Sequence, residues 1–497
     1  MASVRRAGHP GLILLLACTA QFMVILDVSI VNVALPSIRS GLDFSEQNLQ
    51  WVVSAYTVPF AGFLLLGGRS GDLLGRKRMF LAGVALFSFA SLLGALANTE
   101  GLLIGARALQ GLGGAVVAPA TLSIITTTFR EGPERNRALG LWGSVAAAGG
   151  TAGALVGGLL TGLLSWRWIF LVNVPIGLLL LPFSWRFIPE SKGTLEHRSF
   201  DAAGAFSITL GLSAIVLGIV NIERYGFGST EVLVPLGIGA FLTLLFVLIE
   251  SRWAKAPLVP LEIFSSRTLT GANVVVILMG SAMFALWYFL SLYMQQVLGL
   301  TPIRAGLAFL PMTLTLAVTA TLAPKLVARF GVRSTLATGL ALIGAGSALL
   351  TQISAEGSWA SDVLLASVVA ALGFGLSFVP VTIAAVAGVP GRRAGLASGL
   401  VNTSRQLGGA LGLAGLTTFA ASRTTSYVVD HPRSSSLGAP ALTYGYQGAF
   451  ALAAALAFAG SIAALLLLRG IRVPAPAAPA APAAPEVVAE EAPASVR

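Results

Sequence analysis

The fold is decided by residues 12–34, which read LILLLACTAQFMVILDVSIVNVA and carry one charge, at Asp27. About 20 residues of helix are enough to cross the apolar core of a bilayer, so this run predicts a transmembrane helix. Similar runs follow at residues 49–68, 79–98, 102–124, 139–163, 168–188, 203–221, 232–249, 270–294, 304–323, 334–353, 361–384, 395–419 and 447–468. We therefore predict an all-α polytopic membrane protein with fourteen transmembrane helices.

The composition agrees with many membrane-crossing segments. Of the 497 residues, 56% are hydrophobic and 10% are charged, whereas soluble domains carry about 25% charged residues. This composition excludes a soluble enzyme, a disordered protein and a single-pass receptor. One cysteine and three histidines argue against a disulfide scaffold and a metal centre. We expect neither a metal nor a cofactor.

The positive charges lie mainly in alternate loops. If the N-terminus is cytoplasmic, the inner segments hold 23 of the 31 Lys and Arg residues and the outer loops hold 6. Because cytoplasmic loops are enriched in these residues, we expect a multi-pass protein of the cytoplasmic membrane with both termini inside. The same pattern accounts for the net charge of +11 without nucleic acid as a partner. The oligomeric state is left open.

The first and last parts of the chain are weakly similar. Arg137 and Gly153 match Arg393 and Gly409 at a constant spacing. This repeat predicts two parallel halves, an architecture known among transporters. The predicted units are a six-helix bundle at 1–190, an inserted helix pair at 191–268, a second six-helix bundle at 269–470 and a disordered Ala/Pro-rich tail at 471–497.

Two charged residues within the spans are candidates for proton coupling. Asp27 lies in the outer half of span 1, and intramembrane carboxylates mark ion or proton pathways because they cost about 2.5–3.5 kcal/mol to insert. Burial favours a neutral carboxyl group, whereas a nearby cation favours the carboxylate. Arg107 in span 4 lies at a similar depth, so we predict that the two side chains interact, directly or through water. The alternatives are a permanently paired structural ion for Asp27, and snorkelling or carbonyl bonding for Arg107.

A substrate cavity is predicted from polar and aromatic residues within the spans. Asn402, Arg405 and Gln406 share one face of span 13, which indicates either a substrate path or a lock within the C-terminal bundle. Aromatic residues of span 9 predict a substrate wall, although helix packing or an interfacial belt explains them equally well. The cavity candidates are Met23, Gln110, Trp287, Tyr288, Tyr293, Asn402, Arg405 and Gln406.

Two glycine-rich segments predict moving or closely packed parts. Residues 68–78 form a tight inner turn, whose candidate latch residues are Gly68, Asp72, Gly75 and Arg76. Span 5 contains a packing motif that permits close helix approach, made of Gly149, Gly153, Gly157 and Gly158. The sequence contains no GxxxxGK[ST] phosphate-binding pattern, which argues against direct coupling to ATP.

Several of these stretches resemble motifs of the major facilitator superfamily, in its fourteen-helix drug:proton antiporter branch. The turn at 68–78 resembles the motif between helices 2 and 3, with Ser70 in place of the usual Leu. Residues 26–36 resemble the helix-1 motif of drug antiporters, with Asp27 at its acidic position. Residues 107–111 resemble the helix-4 motif, whose arginine is associated with proton transfer.

The resemblance continues into spans 5 and 6. Residues 153–158 resemble the helix-5 antiporter motif, with Ala154 in place of its Pro, and residues 166–177 resemble a stretch typical of the fourteen-helix branch. It implies export of amphipathic, often cationic or aromatic, drugs or antibiotics in exchange for protons, by alternating access between two six-helix bundles. The energy source would be the proton motive force. Two alternatives remain, namely export of an endogenous metabolite and, in a different class, a polytopic membrane enzyme or sensor.

Overall fold

The secondary structure of the chain is helical. The computed structural model describes residues 9–129, 133–192, 201–254, 257–387, 389, 394–431 and 438–469. Within these residues there is no β-strand, so the all-α prediction is confirmed. The predicted tail at 471–497 and the side chain of Asp72 lie outside the described part of the chain.

Fourteen long helices, counted over the described residues, occupy the fourteen predicted spans. They are α1 (Pro10–Leu42), α2 (Trp51–Leu74), α3 (Arg76–Ala95), α4 (Glu100–Thr128), α5 (Pro133–Leu163), α6 (Trp168–Phe187), α7 (Ala202–Tyr225), α8 (Thr230–Leu248), α9 (Arg267–Leu292), α10 (Pro302–Phe330), α11 (Val332–Leu349), α12 (Leu365–Val386), α13 (Ala394–Asp430) and α14 (Gly438–Leu467). One residue interrupts α6, at Val172, and one interrupts α10, at Phe309. Single π-helical turns follow α8 and α9 and precede α12, at Ile249–Trp253, Tyr293–Val297 and Trp359–Leu364.

Eleven helices within the described residues are long and apolar enough to cross a membrane. The other three, α2, α5 and α13, are richer in Gly and polar residues, and the first two hold shorter apolar stretches at Trp51–Leu64 and Ala152–Leu163. The most apolar candidate is Thr230–Trp253, in which an 18-residue window has a mean hydropathy of 2.7 and only 17% of that window is buried. Exposed apolar side chains of this kind are expected where a helix faces lipid.

The helices pack in two groups with an additional pair beside them. In the first group α1 packs on α5, and α4 packs on α2 and α3; in the second, α9 packs on α13 and α14, and α12 packs on α10 and α11. The pair α7–α8 packs internally, and α7 also contacts α2 and α13. The surface at which α7 contacts α2 and α13 is apolar. It includes Val58 of α2, Val216 of α7 and Ala414 of α13, which belong to one buried cluster. The exact domain boundaries stay a prediction.

The two groups meet through α2–α13, α5–α10 and α1–α9 contacts. Three hydrogen bonds join them at the predicted outer ends of the helices. Thr417 Oγ1 donates to Gln50 Oε1 at 2.7 Å. Ser291 Oγ donates to the Asn32 carbonyl at 2.6 Å, and Gln295 Nε2 donates to the Val33 carbonyl at 2.9 Å. We refer to these three bonds as the outer contact.

The glycines of α5 allow this helix to approach its neighbours closely. A Cβ atom added at Gly153 would lie 2.6 Å from Ser29 Cβ, and one added at Gly157 would lie 2.8 Å from the Ile30 carbonyl oxygen. Gly149 also faces α1, whereas Gly158 packs against the backbone of α10. The first three glycines therefore determine how closely α5 packs on α1, the helix that carries Asp27.

The turn between α2 and α3 is fixed by a carboxylate from the end of α6. Gly75 adopts φ +116°, a conformation that side chains disfavour. Glu190 accepts hydrogen bonds from the backbone N–H groups of Lys77 at 3.2 Å and Arg78 at 3.3 Å, as expected for an anion at a helix N-terminus. The Arg76 backbone N–H donates to the Ser191 carbonyl. The role of this turn as a conformational latch stays a prediction.

Candidate functional site

Asp27 lies within α1 and is completely buried, with 0% exposure. Its Oδ2 accepts a hydrogen bond from Arg107 Nη1 at 2.5 Å. Its Oδ1 accepts hydrogen bonds from Gln110 Nε2 and from Asn173 Nδ2, each at 3.0 Å. The three donors come from α4 and α6, so one carboxylate in α1 ties three helices together. Charge-assisted bonds of this kind are about twice as strong as neutral ones.

Arg107 is also buried, with 1% exposure. Its Nε donates to the Val52 carbonyl of α2 at 2.8 Å, and its Nη1 donates to Gln110 Oε1 at 2.8 Å. The guanidinium lies 4.5 Å from the centre of the Tyr56 ring and 5.8 Å from that of Phe170, which are cation–π distances. The contact between Asp27 and Arg107 predicted from their depths is therefore present and direct.

The amide partners of Asp27 were only partly foreseen from the sequence. Gln110, predicted to line a substrate cavity, instead lies with 0% exposure between Asp27 and Ser91 Oγ, to which its Nε2 also donates at 2.7 Å. Asn173 was not predicted as a site residue. The sequence feature that could have indicated it is a polar amide side chain within the apolar run of span 6. Met23, another cavity candidate, is buried in the apolar core of the first group. We refer to Asp27, Arg107, Gln110 and Asn173 as the Asp27 network.

Arg405 lies near the middle of α13. Its Nη2 donates to Asn402 Oδ1 at 2.5 Å, and its guanidinium lies 5.4 Å from the ring centre of Phe378 on α12. The structure thus brings together two of the three residues predicted to form a polar face. Gln406, the third, is 6% exposed. Among the described residues, no cluster of three His, Cys, Asp or Glu side chains is placed to hold a metal ion.

Comparison with known proteins identifies the family to which this chain belongs. The family model described as Major Facilitator Superfamily matches residues 17–413. The chain belongs to the major facilitator superfamily. Membership makes the protein a membrane transporter rather than a membrane enzyme, and it confirms the family and fold predicted from the motifs.

Relatives within the superfamily are named for antibiotic export and resistance. The chain is 40% identical to the cephamycin export protein CmcT of Amycolatopsis lactamdurans over 86% of its own length and 90% of the relative. It is 38% identical to the puromycin resistance protein pur8 of Streptomyces alboniger, over 92% and 91% of the two chains. A solved bacterial homologue of the lysosomal transporter Spinster shares the fold, with a TM-score of 0.64, 16% identity and coverage of 93% and 97%.

The three aromatic residues predicted to line a substrate cavity have different neighbours and do not form one wall. Trp287 stacks on Phe309 of α10 at a ring-centre distance of 5.0 Å. Tyr288 is 1% exposed and borders a small cavity with Gln50 of the outer contact. The Tyr293 hydroxyl oxygen lies 2.7 Å from the Ser354 carbonyl oxygen and 2.7 Å from Asp362 Oδ2, and these two acceptors share its one proton. The Tyr293 hydroxyl thus joins the end of α9 to the segment between α11 and α12.

Proposed function

We propose that the protein exports amphipathic drugs or antibiotics across the cytoplasmic membrane in exchange for protons, by alternating access between its two halves. The observation that carries this proposal is the Asp27–Arg107 ion pair, which is buried in the first half. Asp27 is the proton carrier, and Arg107 stabilises its charge after the proton has left. Intramembrane ionisable residues mark substrate and ion pathways and proton relays.

Proton binding changes the contacts between helices. When Asp27 takes a proton, its charge is lost and the attraction to Arg107 falls with it. Arg107 keeps its bonds to the Val52 carbonyl and to Gln110, so the α4–α2 contact survives while the link to α1 weakens. Protonation therefore acts selectively on α1, which packs on α5 and contacts the second half through α9. Through α1, the binding of a proton at Asp27 thereby changes the position of one half relative to the other.

The energetics of one proton per substrate are adequate. A proton that enters down one pH unit releases about 1.4 kcal/mol, and each charge that moves down 100 mV releases about 2.3 kcal/mol. Together these terms sustain a gradient of roughly several hundredfold for an uncharged substrate.

The substrate class rests on the names of the relatives. A cephamycin export protein and a puromycin resistance protein each align with more than four-fifths of the chain. A second candidate function is the export of an endogenous metabolite, such as an antibiotic made by the same cell, and the name cephamycin export protein fits antibiotic export of either kind. Both candidates use the same proton exchange.

The test is drug-dependent proton movement in proteoliposomes. We expect puromycin added on the cytoplasmic side to release protons from wild-type protein and to be transported against its gradient when a pH gradient is imposed. Asp27→Asn should reduce both signals at least tenfold. Asp43→Asn, which changes an exposed aspartate at the C-terminal end of α1, is the matched control and should behave as wild type. Full proton-coupled transport by Asp27→Asn would disprove the role of this carboxylate.

A further inference from the structure

Arg405 is a second cation within a membrane-spanning helix, and its surroundings differ from those of Arg107. Arg107 has a carboxylate at 2.5 Å. The contacts of the Arg405 guanidinium within the described residues are the Asn402 amide oxygen and the Phe378 ring. Both groups are neutral, so neither compensates the positive charge.

The sequence provides no acidic partner for Arg405 in the membrane-spanning part of its own half. Residues 263–355 and 363–429 contain no Asp or Glu. The remaining acids of this half lie at the predicted outer side, where Glu356 is exposed and Asp362 accepts hydrogen bonds from Tyr293 and Ser354. Asp430 ends α13, roughly 37 Å along the helix axis from Arg405. In the first half, Asp27 is already paired with Arg107.

Both faces of α13 near Arg405 are covered by other helices. Gly408 and Gly412, on the same face as Arg405, pack against α9. Ala410 and Ala414, on the opposite face, belong to the buried cluster with α2 and α7. Arg405 is nevertheless partly exposed. Both of these faces of α13 therefore contact protein, and the guanidinium itself lies beside Phe378 of α12.

We propose that Arg405 binds the anionic group of a substrate, so that the transporter prefers, among the amphipathic molecules that it exports, those with a carboxylate or a similar anion. The proposal rests on the proposed export function and specifies its substrate class. A guanidinium binds carboxylates with two parallel hydrogen bonds, and an uncompensated charge within the membrane gains most from such a partner. Asn402 orients the guanidinium, and Phe378 supplies an aromatic surface for the apolar part of the substrate. This chemistry differs from the cationic drugs that the family resemblance implies.

The experiment compares a fluorescent acid with its ester. Dansylglycine and dansylglycine methyl ester differ in the carboxylate alone and are titrated onto the full-length protein in lipid nanodiscs. We expect wild-type protein to bind the acid at least tenfold more tightly than the ester. Arg405→Gln should bind the acid and the ester with equal affinity, and Arg405→Lys should retain part of the preference for the acid. Arg423→Gln is the control, because its guanidinium also lies on an aromatic ring, that of Tyr444 at 4.1 Å.

The outcomes separate this proposal from the proposed function. Equal affinity of wild-type protein for acid and ester, or an acid preference that survives Arg405→Gln, would overturn the anionic substrate class. Ester binding by Arg405→Gln shows that this variant is folded. If Arg405→Gln does not fold, the partial loss of acid preference in Arg405→Lys tests the role of Arg405 instead. Proton release driven by puromycin in a protein without an acid preference would leave proton-coupled export standing and reject the role of Arg405.

Discussion

Asp27 is held by one cation and by two neutral amides, and these donors have different roles. Arg107 supplies the opposite charge, whereas Gln110 and Asn173 fill the positions around Oδ1. Gln110 is itself held by Ser91, so its amide cannot turn away at low cost. In the proposed exchange, a proton that binds Asp27 displaces or weakens at least one of these donors.

Asn173→Ala removes one of the two amide donors and should slow proton-coupled transport. A hydrogen bond to a charged group contributes about 1.5–3 kcal/mol, so its loss weakens the link between Asp27 and α6. We expect drug-dependent proton release at a fixed pH to fall about tenfold, because about 1.4 kcal/mol corresponds to a factor of ten. Asn221→Ala, at a peripheral asparagine of α7, should leave this rate unchanged, and a wild-type rate in Asn173→Ala would count against the amide's role.

At the scale of the helix, hydropathy located each element but not its ends. Span 1, predicted at 12–34, is the helix Pro10–Leu42, and span 13, predicted at 395–419, extends to Asp430. The apolar run ends where residues leave the bilayer, whereas backbone hydrogen bonding continues through polar residues. Hydropathy therefore indicates where the chain leaves the bilayer, but it gives no information on where the helix itself ends.

Depth along a helix was predictable, but rotation about its axis was not. Counting residues from the span ends placed Asp27 and Arg107 at the same level, and the structure places them in contact. The same counting gives no information on which way Gln110 or Tyr293 faces. Their directions depend on how α3, α4 and the loop after α11 pack, which is set by contacts distant in sequence. The ion pair was therefore foreseen, whereas the complete Asp27 network was not.

The α1–α5 contact gives a test at the scale of the helix pair. Gly157→Val should disrupt transport, because its Cβ would lie 2.8 Å from the Ile30 carbonyl oxygen and overpacking costs about 1–3 kcal/mol. The displaced helix carries Asp27, so we expect at least a tenfold loss of transport and a lower melting temperature. Gly150→Val is the matched control on the same helix, where an added Cβ meets nothing within 4 Å. Equal activity of the two variants would show that the close approach is not required.

Across the whole molecule, the two halves differ in the charges they place within the membrane. The first half holds a compensated pair, Asp27 with Arg107, whereas the second holds Arg405 with neutral partners. This asymmetry suits a division of labour in which one half binds the proton and the other binds the substrate. Under the proposed export mechanism, relative movement of the two halves, which the outer contact joins, would couple the proton site to the substrate site.

The outer contact must open during each transport cycle if access alternates between the two sides. Thr417 and Gln50 are joined by a hydrogen bond of 2.7 Å across the halves, so Gln50→Cys and Thr417→Cys introduce a pair for a short thiol cross-linker. The native Cys18 is buried and is replaced by Ser as background. We expect cross-linking of the double variant to reduce puromycin transport to less than a tenth, and a reducible linker should allow recovery after reduction. Either single variant, treated identically, should transport normally, since one thiol cannot bridge the halves. Undiminished transport by fully cross-linked protein would mean that the two halves need not separate at this point.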